Sequence, residues 1–208
     1  MKTIIYAVLS YLIGAIPSGY LIFRAVKKDD IRKYGSGNIG FANVLRTAGP
    51  LIGFSVLITD AGKAFLATYL FSGIFPNESL YRLIFGLCTI LGNVFNPFLK
   101  FKGGKGVGTA LGVTLAINPV ALSFALSVFI LVIFTSRYVS LSSMSAVGTY
   151  MVASVIFYLT GIINNLKRDI YPLIFSIILF IIVILRHTSN IKRLIKGKEI
   201  KIAIKKSK

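Results

Sequence analysis

Long apolar runs interrupted by basic clusters are the feature that most constrains this chain. Of its 208 residues, 55% are hydrophobic and 14% are charged, and the mean hydropathy is +0.80. A helix needs roughly 20 consecutive apolar residues to cross a bilayer. Most of the candidate runs approach that length: residues 3–23, 51–71, 80–99, 106–135, 139–161 and 170–185. We therefore expect an all-α polytopic membrane protein with a single domain, residues 1–208.

The fourth run, residues 106–135, does not fit a single span. Its thirty residues, at ~1.5 Å each, would form a helix of about 45 Å. The dipeptide Asn118-Pro119 interrupts the run near its middle, and such a pair usually marks a turn. Two short spans that meet there remove the difficulty. We therefore expect seven transmembrane helices, some of them short.

The excess of basic residues tests that count independently. The chain has 24 Lys and Arg against 6 Asp and Glu, a formal net charge of +18. In a chain with spans, such an excess is typical of cytoplasmic loops that contact anionic lipids, and we expect no nucleic-acid partner. With seven spans, the basic segment 24–46 and the basic tail from about residue 188 are both cytoplasmic. The N-terminus is then outside, the C-terminus is cytoplasmic, and Lys167 and Arg168 are the exception to the rule.

A glycine-rich basic segment, KFKGGKGVGT at 100–109, has the composition of an anion site. Backbone amides around Gly103, Gly104 and Gly106 could form a concavity, to which Lys105 adds a full positive charge. A helix that follows would add the positive end of its dipole. Alternatively, the glycines allow close helix packing and the lysines only follow topology.

A second glycine-rich segment, GSGNIGFANVLR at 35–46, is expected on the same membrane face. It offers small polar groups and, in Arg46, a planar fork suited to bidentate phosphate binding. The candidate phosphate ligands are Ser36, Gly37, Asn38, Asn43 and Arg46. A solvated turn is the alternative for this segment alone. Two glycine-rich cationic segments on one face favour phosphate binding.

Two further segments, RYVSLSS at 137–143 and RHTSN at 186–190, fall on that face as well. Ser140 and Ser143 would share a helix face as substrate ligands. Alternatively, Ser140 is an N-cap and Ser143 a hydrogen-bonding residue within or between helices. His187 is the only histidine and suits proton transfer near neutral pH, with Asn190 three residues on. A plain interfacial histidine is the alternative.

Two charged residues lie inside the second apolar run. Asp60 and Lys63 are three positions apart, so they can pair with each other inside the bundle. We expect this pair to support the site rather than to take part in the chemistry. Clusters of His, Cys and carboxylate residues are missing from the sequence, so no metal or other cofactor is expected.

In combination, these segments resemble the bacterial acyl-phosphate:glycerol-3-phosphate acyltransferases, the PlsY family. The family motifs are GSGNxGxxNVxR, KGGKGVxT, YVSLxS and RHxxNIxRLxxGxE. This chain has, in the same order, GSGNIGFANVLR, KGGKGVGT, YVSLSS and RHTSNIKRLIKGKE. It departs from the family at Phe41-Ala42, where Ala-Thr is usual, and at Asn93 and Asn96, where a Gly-His and then a Pro are usual.

The resemblance implies transfer of a fatty acyl group from acyl phosphate to the 1-hydroxyl of glycerol 3-phosphate. The products would be lysophosphatidate and inorganic phosphate, in the first acylation step of phospholipid biosynthesis. The enzyme would lie in the bacterial inner membrane with its active site at the cytoplasmic face, near the enzyme that supplies acyl phosphate. Acyl-CoA-dependent acyltransferases of glycerolipids typically use a His-x4-Asp pair, but Lys192 occupies the aspartate position relative to His187.

The resemblance also suggests roles for particular residues. His187, Ser143 and Asn190 would be catalytic, with either His187 or the substrate phosphate as the proton acceptor. The substrate-binding set would be Ser36, Gly37, Asn38, Asn43, Arg46, Gly103, Gly104, Lys105, Gly106 and Ser140. Two other classes remain open: a small transporter of a phosphorylated anion, and a membrane scaffold that binds anionic lipid.

Overall fold

The computed structural model describes residues 1–162 and 169–202, and its regular structure in those ranges is helical. The chain forms two compact units, Met1–Pro119 and Val120–Lys208. The helices of the first unit are α1 (Lys2–Ala15), α2 (Ser18–Lys27), α3 (Phe41–Ala48), α4 (Pro50–Ser72), α5 (Glu78–Val94) and α6 (Val107–Ile117). Those of the second are α7 (Pro119–Ser136), α8 (Val139–Thr160), α9 (Tyr171–Arg186) and α10 (Thr188–Ile195). The exceptional basic pair, Lys167 and Arg168, lies outside the described residues.

Proline residues set two of the helix breaks. As predicted, the thirty-residue run divides at Asn118, where α6 ends at Ile117 and α7 begins at Pro119. A second break, which we did not predict, separates α1 from α2 at Ile16 and Pro17. A proline disfavours helical backbone in the residue before it and has no N–H for the helical ladder. The first apolar run is therefore two helices rather than one.

Several helices are long and apolar enough to cross a membrane. Five such stretches are found in the described residues: Lys2–Lys27, Pro50–Ser72, Glu78–Leu99, Pro119–Ser136 and Val139–Thr160. Helices α9 and α10 meet at a bend of 59° and make a sixth if they are counted together. Helix α6 is apolar but has only 11 residues, about 16 Å. In the part of the chain that the structure describes, the protein is thus a helical membrane protein with five or six candidate spans, and a seventh, α6, stays a prediction.

Glycine residues allow the helices of the first unit to pack closely. A Cβ atom at Gly14 of α1 would lie 2.0 Å from the carbonyl oxygen of Thr89 in α5. A Cβ at Gly92 of α5 would lie 2.0 Å from the carbonyl oxygen of Tyr11 in α1. Small residues that let backbones approach are typical of helix contacts in membranes. The α1–α5 contact therefore depends on glycine from both sides.

In the second unit, the chain after α10 returns to the start of α8. The backbone N–H of Ile202 donates to the carbonyl of Arg137 at 3.0 Å, and the Lys201 ammonium lies 5.2 Å from the centre of the Tyr138 ring. The basic tail expected from about residue 188 thus begins as helix α10, and its described part packs against its own unit.

Candidate active site

The GSGN segment, residues 35–40, is organised by one buried amide side chain. Asn43 is 1% exposed, and its Oδ1 accepts a hydrogen bond from the backbone N–H of Ser36 at 2.9 Å. Its Nδ2 donates to the carbonyls of Tyr34 at 3.0 Å and of Asn38 at 2.8 Å. Asn43 therefore holds the loop in shape from within, and direct contact with substrate stays a prediction for this residue.

The glycines of this segment are required by its backbone. Gly35 and Gly37 have φ of 56° and 69°, in the left-handed region that favours glycine. A Cβ at Gly35 would lie 2.3 Å from Oδ1 of Asn43. Asn38 closes the segment, because its Oδ1 accepts from the N–H of Gly40 at 2.9 Å. The loop is thus held in shape by hydrogen bonds from its own asparagine side chains.

This shape leaves Ser36 exposed at the surface of the first unit. Arg46 follows in the last turn of α3 and is half-buried. Of the predicted ligands in this segment, Ser36, Asn38 and Arg46 have side chains that are at least partly exposed and can donate to an anion.

The KGGKG segment, residues 102–106, is attached to the end of α5. The N–H of Gly103 donates to the carbonyl of Val94 at 3.2 Å, and the N–H of Gly104 donates to the carbonyl of Asn93 at 3.0 Å. These two amides bind the protein itself, which differs from our expectation that they face a ligand. Close packing explains the glycine, since a Cβ at Gly103 would lie 2.0 Å from the Asn93 carbonyl oxygen.

The part of the segment that can bind an anion lies further along, where α6 begins. Gly106, with φ of 77°, is the N-cap residue of α6, and Lys105 beside it is half-buried. The first N–H groups of a helix have no partners within the helix, and they carry the positive end of its dipole. Thr109, in the first turn, was not singled out from the sequence. Its hydroxyl is fully buried and has no hydrogen-bond partner in the described chain.

The predicted Asp60–Lys63 pair is present. Nζ of Lys63 lies 2.8 Å from Oδ1 of Asp60, and the two side chains are 10% and 9% exposed. The same Nζ donates to the carbonyl of Ile16 and, at 3.1 Å, to Oγ of Ser18. Lys63 therefore binds the chain at the break between α1 and α2 as well as pairing with Asp60.

Asn96 also binds the chain at the break between α1 and α2. It is fully buried, and its Nδ2 donates to the carbonyl of Ala15, the last residue of α1. The carbonyls at a helix C-terminus have no partners within the helix and must find them elsewhere. This position, one of those where the chain departs from the family pattern, thus caps a helix.

In the second unit, Glu199 holds three segments together. Its Oε1 accepts hydrogen bonds from Oγ of Ser140 at 2.9 Å and Nδ2 of Asn190 at 2.6 Å. Its Oε2 accepts from Nε of Arg193 at 2.7 Å, and its side chain is 2% exposed. Ser140 is not an N-cap, because Tyr138 has that position before α8. Substrate contact by Ser140 or Asn190 stays a prediction.

The same contacts keep Glu199 ionised. Burial raises the pKa of its carboxyl, but the hydrogen bonds from Asn190, Arg193 and Ser140 outweigh it, and the net pKa lies below the ordinary value. Because the folded-state pKa is depressed, the contribution of Glu199 to stability is present at neutral pH and is lost as pH falls through that lowered value.

His187 lies where α9 ends and α10 begins, and it is 2% exposed. Its Nδ1 lies 2.8 Å from the carbonyl oxygen of Val183, and a carbonyl can only accept. When the ring is neutral, this contact assigns its proton to Nδ1 and leaves Nε2 as the basic nitrogen. Ser143, 2% exposed, donates to the carbonyl of Val139 at 2.8 Å, which is the intrahelical bond left open from the sequence.

Comparison with known proteins gives a consistent result. The profile of a family described as "Glycerol-3-phosphate acyltransferase" matches residues 4–197. A glycerol-3-phosphate acyltransferase of Macrococcus caseolyticus is 37% identical over 210 residues, which cover 99% of this chain and 100% of the relative. One from Fusobacterium nucleatum is 41% identical over 196 residues, 93% of this chain and 95% of the relative.

Solved structures agree with these relatives. A crystal structure of PlsY (YgiH), described as an integral membrane glycerol 3-phosphate acyltransferase in its glycerol 3-phosphate form, superposes with a TM-score of 0.86. It is 32% identical, and the match covers 98% of this chain and 96% of that one. A lysophosphatidic acid form gives a TM-score of 0.84 at 31% identity, covering 97% and 95%.

The helices, the motifs and these relatives together define an integral membrane acyltransferase. The chain belongs to the glycerol-3-phosphate acyltransferase family. The resemblance inferred from the four motifs is thus confirmed.

Proposed function

We propose that this enzyme transfers a fatty acyl group from acyl phosphate to the 1-hydroxyl of glycerol 3-phosphate, giving lysophosphatidate and inorganic phosphate. Glycerol 3-phosphate is proposed as the acceptor because a 32% identical structure, which matches nearly the whole chain, is described in its glycerol 3-phosphate form. The acyl phosphate donor is favoured by the sequence, because Lys192 stands where acyl-CoA-dependent enzymes have their aspartate. This would be the first acylation step of phospholipid biosynthesis.

In the first unit, Arg46, Lys105 and the N-terminal turn of α6 bind phosphate. Arg46 has the fork geometry for a phosphate, Lys105 adds a point charge, and helix N-termini favour anions. Ser36, exposed beside Asn38, orients glycerol 3-phosphate. Such fixed positive groups also stabilise the charge that develops on the departing phosphate.

In the second unit, His187 accepts the proton of the attacking hydroxyl. The oxygen of that hydroxyl forms a bond to the acyl carbonyl carbon, and the bond from that carbon to the phosphate oxygen breaks. The hydroxyl proton goes to Nε2 of His187, and inorganic phosphate leaves. Support comes from the Nδ1 contact with Val183, which makes Nε2 the basic nitrogen. The substrate's own phosphate is the alternative acceptor.

For the membrane, we propose seven spans with α6 as a short one, the N-terminus outside and the C-terminus cytoplasmic. The positive-inside rule supports this arrangement because it makes segment 24–46 and the basic tail cytoplasmic. The enzyme then works at the cytoplasmic face of the bacterial inner membrane, beside anionic lipids and the enzyme that supplies acyl phosphate.

Phosphate release by the detergent-purified protein tests the proposal. Release from acyl phosphate should depend on glycerol 3-phosphate and should fall at least about a hundredfold in Lys105→Ala, since a preorganised charge of this kind contributes ~10²–10³ in rate. Lys102→Ala is the matched control, because Lys102 is an exposed lysine of the same loop, and it should keep near-normal activity. No release from well-folded wild-type protein would favour transport of a phosphorylated anion instead.

A further inference from the structure

The ion pair in α4 has no part in the chemistry proposed above, yet it lies where charge is expensive. Asp60 and Lys63 are in the middle of Pro50–Ser72, a candidate span, and both side chains are about nine-tenths buried. A charged side chain in the bilayer is unfavourable unless it is paired, and such residues are usually functional. A buried pair can often be replaced by apolar residues without loss of stability. Stability alone therefore does not explain these two residues.

From Lys63, contacts lead to the GSGN segment. Nζ of Lys63 donates to Oγ of Ser18 at 3.1 Å, and Ser18 is the first residue of α2. The next residue, Gly19, is so close to the GSGN segment that an added Cβ would lie 1.8 Å from the carbonyl oxygen of Ile39. Lys63 therefore holds the helix end on which this loop rests.

From Asp60, contacts lead to the KGGKG segment. A Cβ at Gly108 would lie 3.2 Å from Cβ of Asp60, and Gly108 is in the first turn of α6, three residues after Lys105. One turn later, a Cβ at Gly112 would lie 1.9 Å from the carbonyl oxygen of Ala61, the residue after Asp60. Asp60 and its neighbour therefore support the start of α6.

We propose that the Asp60–Lys63 pair positions the two glycine-rich segments relative to each other, so that Arg46 and Lys105 are fixed for phosphate binding. The two residues act through other groups and are positioning residues. This inference rests on the proposed function, because it takes the two segments as the phosphate site. A misplacement of about 1 Å can lower a rate by ~10²-fold, so a small shift of either segment is enough to be measured.

The main experiment is steady-state kinetics of the detergent-purified full chain carrying Lys63→Met, which removes the ammonium and keeps the length of the side chain. We expect kcat/KM for glycerol 3-phosphate to fall between about tenfold and a hundredfold, mainly through KM. Lys63→Arg, which keeps a cationic donor, should recover at least part of the loss. Glu78→Gln is the matched control, because it breaks the Glu78–Arg82 pair at the exposed start of α5 and should leave kcat/KM unchanged.

The double variant Asp60→Asn with Lys63→Met separates positioning from mere charge balance. If the pair only balances two buried charges, removing both restores wild-type kinetics; if it positions the segments, the defect in kcat/KM persists. Near-normal kcat/KM in Lys63→Met or in the double variant would overturn the proposal. Should Lys63→Met fail to fold, Ser18→Ala decides: a fall of about threefold or more supports positioning, and wild-type kinetics contradict it.

Hydrogen exchange keeps this inference separate from the proposed function. If the wild type releases no phosphate from acyl phosphate, the proposed reaction fails, whatever the variants do. Whether or not the wild type is active, Lys63→Met should speed exchange of the amides in 35–40 and 103–109. The exchange of the amides at the C-terminal end of α4, near Ser72, should stay unchanged. Unchanged exchange in both glycine-rich segments would overturn the positioning role on its own.

Discussion

At the scale of single residues, the tautomer of His187 is the detail that most bears on mechanism. Nδ1 lies 2.8 Å from the Val183 carbonyl oxygen, and because a carbonyl can only accept, this contact assigns the proton of the neutral ring to Nδ1. Sequence pattern indicated a histidine near the membrane surface but could not indicate which nitrogen is basic, because the partner carbonyl becomes adjacent only when α9 forms. Glu199 was missed for a related reason. Glu199 is the last residue of the RHxxNIxRLxxGxE motif, but the motif does not indicate its partners, and Ser140 is 59 residues away along the chain.

The variant His187→Asn tests the proton acceptor. The Asn amide can still donate to the Val183 carbonyl but has no basic nitrogen, so kcat should fall by about 10²–10⁴-fold if His187 is the base. The measurement is phosphate release that depends on glycerol 3-phosphate, compared with wild type at neutral pH. A kcat within about threefold of wild type would reject His187 and favour the substrate's own phosphate as the acceptor.

At the scale of helices, the two breaks show what a sequence can and cannot predict. The thirty-residue run was too long for one span, and the Asn118-Pro119 pair marked where it divides, so this break could be predicted. The first run had an ordinary length for a span, and the break at Pro17 was missed. That break is stabilised by Lys63 and Asn96, which cap the carbonyls of Ile16 and Ala15. Such capping depends on tertiary contacts that no local pattern contains.

The anchoring of KGGKG to α5 gives the prediction at this scale. Gly103→Ala would place a Cβ 2.0 Å from the backbone oxygen of Asn93, so the segment must move away from α5. We expect a loss of at least about tenfold in kcat/KM, together with a lower midpoint of thermal unfolding. Gly62→Ala is the matched control, because a Cβ there meets nothing within 4 Å and Ala is the better helix former. If Gly103→Ala behaved like this control, the close contact between Gly103 and the Asn93 carbonyl would not be needed for activity.

For the whole molecule, the open question is whether α6 crosses the membrane. Its 11 residues reach about 16 Å, roughly half the hydrocarbon thickness, so length argues against a full span. The distribution of basic residues argues for a full span, because segment 24–46 and the tail are both cytoplasmic only if α6 crosses the membrane. A short helix can cross if the bilayer thins locally, at a cost of fractions of a kcal/mol per Å. The charge rule therefore outweighs the length, and we expect seven spans.

Cysteine labelling in right-side-out vesicles tests this topology. In a Cys88→Ser background, which removes the single cysteine, Gly73→Cys lies in the turn between α4 and α5 and should react with an impermeant reagent added outside. Lys198→Cys, in the exposed chain after α10, should react only once the vesicles are opened. Each additional crossing reverses the side of all later segments, so omitting α6 alone would put residue 198 outside. Labelling of Lys198→Cys in closed vesicles would therefore mean that α6 does not span. Protection of Lys198→Cys together with labelling of Gly73→Cys requires an odd number of crossings from α5 to the tail with α5 included, which is met when α5, α6, α7, α8 and α9 all span.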